Sequence, residues 1–132
     1  MTLFEKIHRW NEERGLPILP FDHKKQVSFI IEELLESTGN FDSISAREKA
    51  EDIASEITKD ANANPETVID AFGDIIVFAV GVMVNLGYDP DKVMDEVFKE
   101  IDSRKGTIID GKFVKDPNAE RYYADFTDCT IN

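Results

Sequence analysis

The stretch ETVIDAFGDIIVFAVGVMV, residues 66–84, decides the fold, because it predicts one long helix that is apolar on almost every side. A helix of this kind normally lies in a protein core, so we expect a helical domain built around it. Two carboxylates, Asp70 and Asp74, nevertheless stand one turn apart within it. An unpaired buried carboxylate is costly, so these two side chains need a cation, a metal or hydrogen-bond donors.

Composition and charge place the chain among ordinary globular domains. Its 132 residues suffice for one domain with its own core, and 42% apolar with 32% charged residues is typical of such a domain. The net charge of -12 argues against binding to nucleic acid or to anionic membranes. Cys129 is the single cysteine, which suits a reducing compartment, and the apolar run 75–84 is too short to span a bilayer. We therefore expect a single cytoplasmic domain over residues 1–132.

Local signals predict the first three helices. An amphipathic pattern covers residues 3–14, and Asp22 predicts the N-cap of a second helix that runs to about residue 37. Ser45 and Glu48 form a Ser-x-x-Glu capping box that is typical of a helix start, here of a third helix. The apolar stripe of the third helix is narrow, so we expect this helix to be peripheral.

The last two helices open with a capping residue followed by proline. Asn64 precedes Pro65 at the start of the apolar fourth helix, and Pro90 opens a fifth helix that extends to about Lys105.

After the fifth helix the spacing of apolar residues changes from a helical pattern to a strand-like one. The segment GTIIDGKFVK, residues 106–115, consists of two strand-like runs joined by Asp110-Gly111, a strong hairpin signal. The tail that follows is predicted to be weakly structured. The predicted fold is therefore all-α, a four- to five-helix bundle with a short C-terminal β-hairpin.

A second acidic motif, EELLE at residues 32–36, places Glu32, Glu33 and Glu36 within one turn of the second helix. A solvated acidic face accounts for this motif when it is taken alone. Phe29 projects on the same side, however, and a purely solvated face gains nothing from an aromatic ring. The mutual repulsion of three neighbouring glutamates is tolerable in water but costly when they are partly buried. A divalent cation bound among them reverses that cost.

Together the two acidic helices offer hard oxygen ligands, with no His or Cys set at suitable spacing beside them. Such ligands favour Mg²⁺, or Mn²⁺, over Zn²⁺. Magnesium keeps several waters and commonly bridges to substrate phosphates, so the ligand set indicates a phosphate ester or anhydride as substrate. A structural hydrogen-bond network around the carboxylates is the alternative.

Positive charge for a phosphate group follows the fifth helix. Arg104 and Lys105 end that helix, and Lys112 and Lys115 lie on the hairpin. Taken alone, the first two complement the helix dipole and the hairpin lysines protect edge strands. In a chain of net charge -12, the same cluster is also a candidate phosphate site.

In these motifs the sequence resembles the MazG-like family of the all-α nucleoside triphosphate pyrophosphohydrolase superfamily, most closely the compact form often found in phages. The resemblance is carried by EELLE at 32–36, DAFGD at 70–74 and EIDSRKGTIIDGKFVKD at 100–116, with WNEERGL at 10–16 fitting the first helix. It covers nearly the whole chain, in the family's order. The chain departs from the cellular branch at Ala71, where that branch has a glutamate, and at Phe29, where many relatives have a lysine.

The resemblance implies Mg²⁺-dependent hydrolysis of (deoxy)nucleoside triphosphates to monophosphate and pyrophosphate. Such an activity would control a nucleotide pool in the cytoplasm, that of the host if the chain is phage-encoded. The implied metal ligands are Glu33, Glu36 and Asp74, with Asp70 as a further ligand or an outer-shell partner. Glu32 would orient or deprotonate the attacking water, unless Glu33 exchanges roles with it.

The resemblance also assigns the substrate contacts. The residues implied to neutralise the phosphate tail are Arg104, Lys105, Lys112 and Lys115. The candidates to face the base are Trp10 and Phe29, although Trp10 serves equally well as a core anchor of the first helix.

Two other functions stay open. The same fold could act on another pyrophosphate-linked metabolite such as phosphoribosyl-ATP, or the chain could be a catalytically silent bundle that binds metal or a partner protein. One bundle is too thin to bury the fourth helix completely. We therefore expect a homodimer or homotetramer with the site near a subunit interface, and a nucleotide rather than nucleic acid or a membrane as ligand.

Overall fold

The structure, a computed structural model, describes residues 1–131 and is mainly helical over that range. Its elements, in chain order, are α1 (Leu3–Glu13), α2 (His23–Glu36), α3 (Ser43–Ile57), α4 (Pro65–Asn85), α5 (Pro90–Ser103), β1 (Gly106–Ile109) and β2 (Lys112–Lys115), with a short 3₁₀ turn at Leu16–Ile18. The prediction of an all-α fold with a C-terminal β-hairpin is confirmed.

Side-chain caps begin two of the helices where the sequence predicts them. The Asp22 carboxylate accepts a hydrogen bond from the backbone N–H of Lys25, and the Asn64 side chain accepts one from Thr67 at 2.9 Å. These bonds satisfy backbone donors that have no partner inside a helix. Both predicted caps are confirmed.

The start of α3 differs from the prediction. Asp42, not Ser45, is the N-cap: its carboxylate accepts a hydrogen bond from the Ser45 N–H, and the Asp42 N–H donates to the Ser45 hydroxyl. The bonds from Ser45, with a smaller contribution from the N–H of Ile44, hold the pKa of Asp42 below its usual value. Ser45 completes a capping box that opens one turn earlier than Ser45 and Glu48 would have done.

The chain divides into two compact units. The helical pair spans Pro20–Thr67 and contains α2 and α3, whereas the helix–hairpin unit joins Met1–Leu19 to Val68–Asn132 and contains α1, most of α4, α5 and the hairpin.

In the helical pair, α3 packs along α2. Ala46, Ala50 and Ala54 of α3 are buried, and so is Ser28 of α2. These alanines recur every four residues and so share one face of α3, where their small side chains let the two backbones come close. α3 buries only this narrow stripe, as the sequence predicts, and its peripheral position stays a prediction.

In the helix–hairpin unit, α1 packs against α5, and the Trp10 ring meets the Phe113 ring edge to face, with centroids 5.5 Å apart. β1 and β2 are antiparallel, with Ile109 opposite Lys112. Asp110 and Gly111 have φ values of 50° and 78°. Positive φ at both central residues is the requirement of a type I′ turn, so the predicted hairpin is confirmed.

The tail after β2 forms a C-terminal strap (residues 116–131). Arg121 pairs with Glu100 of α5, and the Cys129 carbonyl accepts a hydrogen bond from the N–H of Asp89, the N-cap of α5. Cys129 itself is buried. The strap has an irregular backbone, as predicted, but it is tied to both ends of α5 by specific bonds.

The apolar helix α4 is the largest departure from the sequence-based expectation. None of its residues is buried, although we expected it to form the core. Within the helix–hairpin unit as described, neither α1, α5 nor the hairpin packs along it. Over its full length of 21 residues α4 is also long and apolar enough to cross a membrane, by length and composition only. The expectation that this segment is too short to span a bilayer considered only the uncharged run 75–84, which is shorter than the helix.

Candidate functional site

The acidic motif of the helical pair lies where α2 ends. Glu32, Glu33 and Glu36 occupy the last two turns of α2, as predicted, and α2 stops at Glu36. Glu33 is exposed, whereas Glu32 and Glu36 are half-buried. The helix therefore gathers three carboxylates at its C-terminal end, where the helix dipole is itself negative. Cations are favoured at such an end.

Glu32 has a specific partner on the neighbouring helix. Arg47 of α3 donates from its Nε to Glu32 Oε1 at 3.2 Å, and only 12% of the Glu32 side chain is exposed. This pair compensates one of the three charges and fixes the orientation of the Glu32 carboxylate. Sequence reasoning missed Arg47, since the two residues are 15 positions apart and meet only because α3 packs on α2.

The acidic motif of α4 is open to solvent. Asp70 and Asp74 lie one turn apart on α4 and both are exposed. Within residues 1–131 neither carboxylate makes a hydrogen bond or an ion pair. The argument that burial obliges them to bind a cation therefore fails, because an exposed carboxylate is solvated by water. Both groups stay available as ligands.

The two acidic motifs belong to different units, the glutamates to the helical pair and the aspartates to the helix–hairpin unit. In the described part of the chain, no group of three or more His, Cys, Asp or Glu side chains is arranged to hold a metal ion. The donor chemistry nevertheless fits Mg²⁺, since Glu33, Glu36, Asp70 and Asp74 offer only hard carboxylate oxygens.

The four predicted phosphate-binding residues follow α5 but do not converge on one point. Arg104 is the C-cap of α5, Lys105 follows it, and Lys115 pairs with Gly106 at the open end of the hairpin. Lys112 lies at the turn end of β2, about 10 Å along the strand from Lys115 and on the opposite face. The open end of the hairpin therefore concentrates three of the four positive charges.

Arg104 is the most promising of these cations. It is half-buried, and its Nε is buried without a hydrogen-bond partner among the described residues. An unsatisfied guanidinium donor is costly, so a local movement that exposes it to an anionic ligand would recover a hydrogen bond.

Trp10 makes the contacts of a core anchor and also borders a concave surface. The Arg14 guanidinium lies 4.0 Å from the centre of its ring, and Phe113 contacts its edge. A cleft of about 370 Å³ between α1 and α5 is lined by Met1, Lys6, Arg9, Trp10, Glu13, Phe98 and Asp102. The cleft is open to solvent and its lining is mostly polar. The other candidate base contact, Phe29, lies half-buried on α2 in the helical pair.

Glu96 is a carboxylate that sequence reasoning missed. It accepts hydrogen bonds from the Tyr122 hydroxyl, the Lys99 ammonium and the Asp125 N–H, and these lower its pKa to about 2 in that order of importance. Glu96 thus anchors the C-terminal strap to α5. No local sequence pattern predicts this role of Glu96, because its partners in the strap lie 26 and 29 residues away.

Comparisons with protein-family models, with curated protein sequences and with solved structures give no match.

Proposed function

We propose that this chain is a Mg²⁺-dependent pyrophosphohydrolase that converts (deoxy)nucleoside triphosphates to monophosphates and pyrophosphate. The observation that carries the proposal is the C-terminal end of α2, where three glutamates lie within the last two turns and one of them, Glu32, is oriented by Arg47. The similarity of EELLE, DAFGD and the segment 100–116 to MazG-like motifs supports the same reaction.

In this proposal Glu33, Glu36 and Asp74 would hold Mg²⁺, with Asp70 as a ligand or as a partner of Asp74. The ion would make the attacked phosphorus electrophilic and mask the charge of the pyrophosphate. Glu33 and Glu36 project from one turn of α2, and Asp70 and Asp74 from one turn of α4. An ion held by these carboxylates would offset their mutual repulsion.

Glu32 would orient or deprotonate the attacking water in this mechanism. Its ion pair with Arg47 keeps the carboxylate in one orientation, which a positioned base requires. Glu33, which is more exposed, is the alternative for this role. Arg47 acts through Glu32 and is therefore a positioning residue.

The substrate contacts follow from the distribution of cations. Arg104, Lys105 and Lys115 at the open end of the hairpin would neutralise the phosphate tail, and Lys112 would extend this surface towards the turn. Trp10 and Phe29 remain the candidates to face the base. A free nucleotide in the cytoplasm is the proposed substrate.

A nucleotide panel that includes phosphoribosyl-ATP, incubated with Mg²⁺, tests the proposal by separating monophosphate, phosphate and pyrophosphate. We expect pyrophosphate release that is lost, by about 100-fold or more, in Glu36→Gln. Glu51→Gln is the matched control, since Glu51 is an exposed glutamate on α3, and it should keep full activity. Release of single phosphate would refute the assigned bond cleavage. Turnover of phosphoribosyl-ATP alone would reassign the substrate.

A binding protein without catalysis is the second candidate, and the exposed apolar surface of α4 favours it. It predicts that no nucleotide is turned over under any metal condition. Isothermal titration with Mg²⁺ and Mn²⁺ then decides whether the acidic helices bind metal at all.

A further inference from the structure

The C-terminal strap brings a second arginine to the end of α5. Arg104 is the C-cap of this helix, and Arg121 lies on the strap, later in the chain. The Tyr122 N–H donates to Ser103 Oγ at 2.8 Å. Each arginine is therefore the chain neighbour of a residue in this hydrogen bond. The two arginines together are named here the arginine corner.

A second bond closes this part of the strap around Arg104. The Asp116 N–H donates to the carbonyl of Lys105, the residue after Arg104, at 2.6 Å. Arg104 therefore lies between two positions that main-chain donors of the strap hold. The backbone of Arg121 is fixed beside it, so the two arginine side chains extend from neighbouring points of the fold.

Both arginines have a donor without an acceptor. The Nε atoms of Arg104 and Arg121 are buried, and neither has a hydrogen-bond partner within residues 1–131. Trp10 Nε1 is the only other buried side-chain atom of this kind in that range, so the unpaired donors concentrate at the arginine corner. A guanidinium group stays charged and has no acceptor. The two arginines cannot satisfy each other, and they need oxygen atoms from elsewhere.

Glu100 compensates only part of the charge at this corner. Its Oε1 accepts a hydrogen bond from Arg121 Nη2, and the Glu100 and Arg121 side chains are 21% and 19% exposed. Lys105 and Lys115 add positive charge at the open end of the hairpin, and Asp116 adds one carboxylate. The segments joined here therefore carry four cations and two carboxylates, in a chain whose net charge is -12.

We propose that Arg121 is a further phosphate-contacting residue, which binds a phosphate group together with Arg104 at the arginine corner. A phosphate group offers several acceptor oxygens, and the planar guanidinium fork donates to them in pairs. Such a ligand would supply the acceptors that both Nε atoms lack. The inference deepens the proposed function and rests on it for the natural ligand, which is the phosphate tail of a nucleotide or the pyrophosphate product.

Glu100 has the opposite effect on binding in this arrangement. Its carboxylate holds Arg121 at the corner but competes with an anionic ligand for the same guanidinium group. Glu100→Gln keeps an oxygen that accepts from Arg121 and removes the negative charge. This variant should therefore bind phosphate more tightly than the wild type, whereas a purely structural role of the Glu100–Arg121 pair predicts no gain.

Isothermal titration of the full chain with inorganic pyrophosphate, in excess EDTA, tests the inference without metal or turnover. We expect binding that Arg121→Lys weakens by about 10-fold or more, since lysine keeps the charge and loses the fork. Glu100→Gln should tighten it by about 2- to 5-fold. Arg9→Lys is the matched control, because the Arg9 Nε already donates to Glu13 at 3.1 Å, and it should leave binding unchanged.

Circular dichroism checks that each variant keeps its helix content. If Arg121→Lys unfolds, Glu100→Gln decides the question, since it keeps the bond to Arg121. Absence of pyrophosphate binding by the wild type at millimolar concentration would overturn the inference. So would an unchanged affinity in folded Arg121→Lys, an equal loss in Arg9→Lys, or no gain in Glu100→Gln.

The same titration with a nucleoside triphosphate distinguishes the two sources of the phosphate group. Tighter binding of the triphosphate, again dependent on Arg121, would assign the corner to the substrate tail, whereas tighter binding of pyrophosphate would assign it to the product. Nucleotide turnover in Mg²⁺ with pyrophosphate binding that ignores Arg121 would overturn this inference alone. The expected binding without any turnover would overturn the proposed function alone.

Discussion

Helices α3 and α4 show how weakly the apolar content of a helix predicts its burial. α3 is rich in charge and contributes three of the most deeply buried residues of the described chain, whereas α4 is almost wholly apolar and contributes none. The difference lies in the partner. α3 follows α2 after a short connection and meets it through alanines, but no helix or strand of its own unit packs along α4. A helix face is buried only where a second surface packs against it.

Enlarging one alanine on each helix should give the largest difference in stability between α3 and α4. Ala50→Leu should lower the free energy of unfolding by about 1–3 kcal/mol, because the added methylenes have no space between α2 and α3. Ala79→Leu on α4 makes the same chemical change at an exposed position and should shift it by less than about 0.5 kcal/mol. Urea denaturation of both variants measures the difference. Equal destabilisation would show that α4 is covered at Ala79 as closely as α3 is at Ala50.

A smaller effect comes from removing the caps of the same two helices. Asp42→Ala should destabilise the helical pair by about 1 kcal/mol, since the Ser45 N–H loses the Asp42 carboxylate as its acceptor. Asn64→Ala removes the corresponding bond at the start of α4. There we expect increased amide exchange confined to the first turn of α4, with little change in global unfolding. Hydrogen exchange distinguishes the two outcomes, and global destabilisation by Asn64→Ala would contradict the independence of the α4 terminus.

Acid titration tests what stabilises the helix–hairpin unit. In that unit the C-terminal strap binds α5, whereas the helical pair is stabilised by the packing of two helices. The Glu96 pKa is about 2 in the folded chain and 4.5 in the reference state. Its contribution to stability is therefore fully present above pH 4.5 and is lost as the pH falls through about 2. Glu96→Gln should flatten the pH dependence of the unfolding midpoint in that window. Asp95→Asn, at an exposed neighbour on α5, is the control and should leave the slope unchanged.

Local features of the fold were predictable from the sequence, and contacts between distant residues were not. Asp22, Asn64 and the Asp110-Gly111 turn act within a few residues of their own position, so their signals are complete in the sequence. The capping box of α3 was placed one turn late, because both Asp42 and Ser45 are good caps and only the bonds distinguish them.

The same division holds for the candidate site. EELLE and the two aspartates were placed correctly on helices, since helix periodicity decides which carboxylates are neighbours. The Arg47–Glu32 pair and the strap anchors of Glu96 depend on which helices pack together, which no local pattern encodes. The expected burial of α4 rested on its apolar composition, and within the helix–hairpin unit as described no helix or strand packs along it.

The order of segments along the chain has a consequence for the way the protein folds during synthesis. The helical pair is continuous in sequence, so α2 and α3 can meet as soon as both have left the ribosome, and such local contacts form fast. α1 must wait for α5, and at usual translation rates that delay is roughly 5–20 s. During that interval α1 exposes apolar surface without its final contacts to α5. The helix–hairpin unit is therefore the part of the molecule on which chaperones would act.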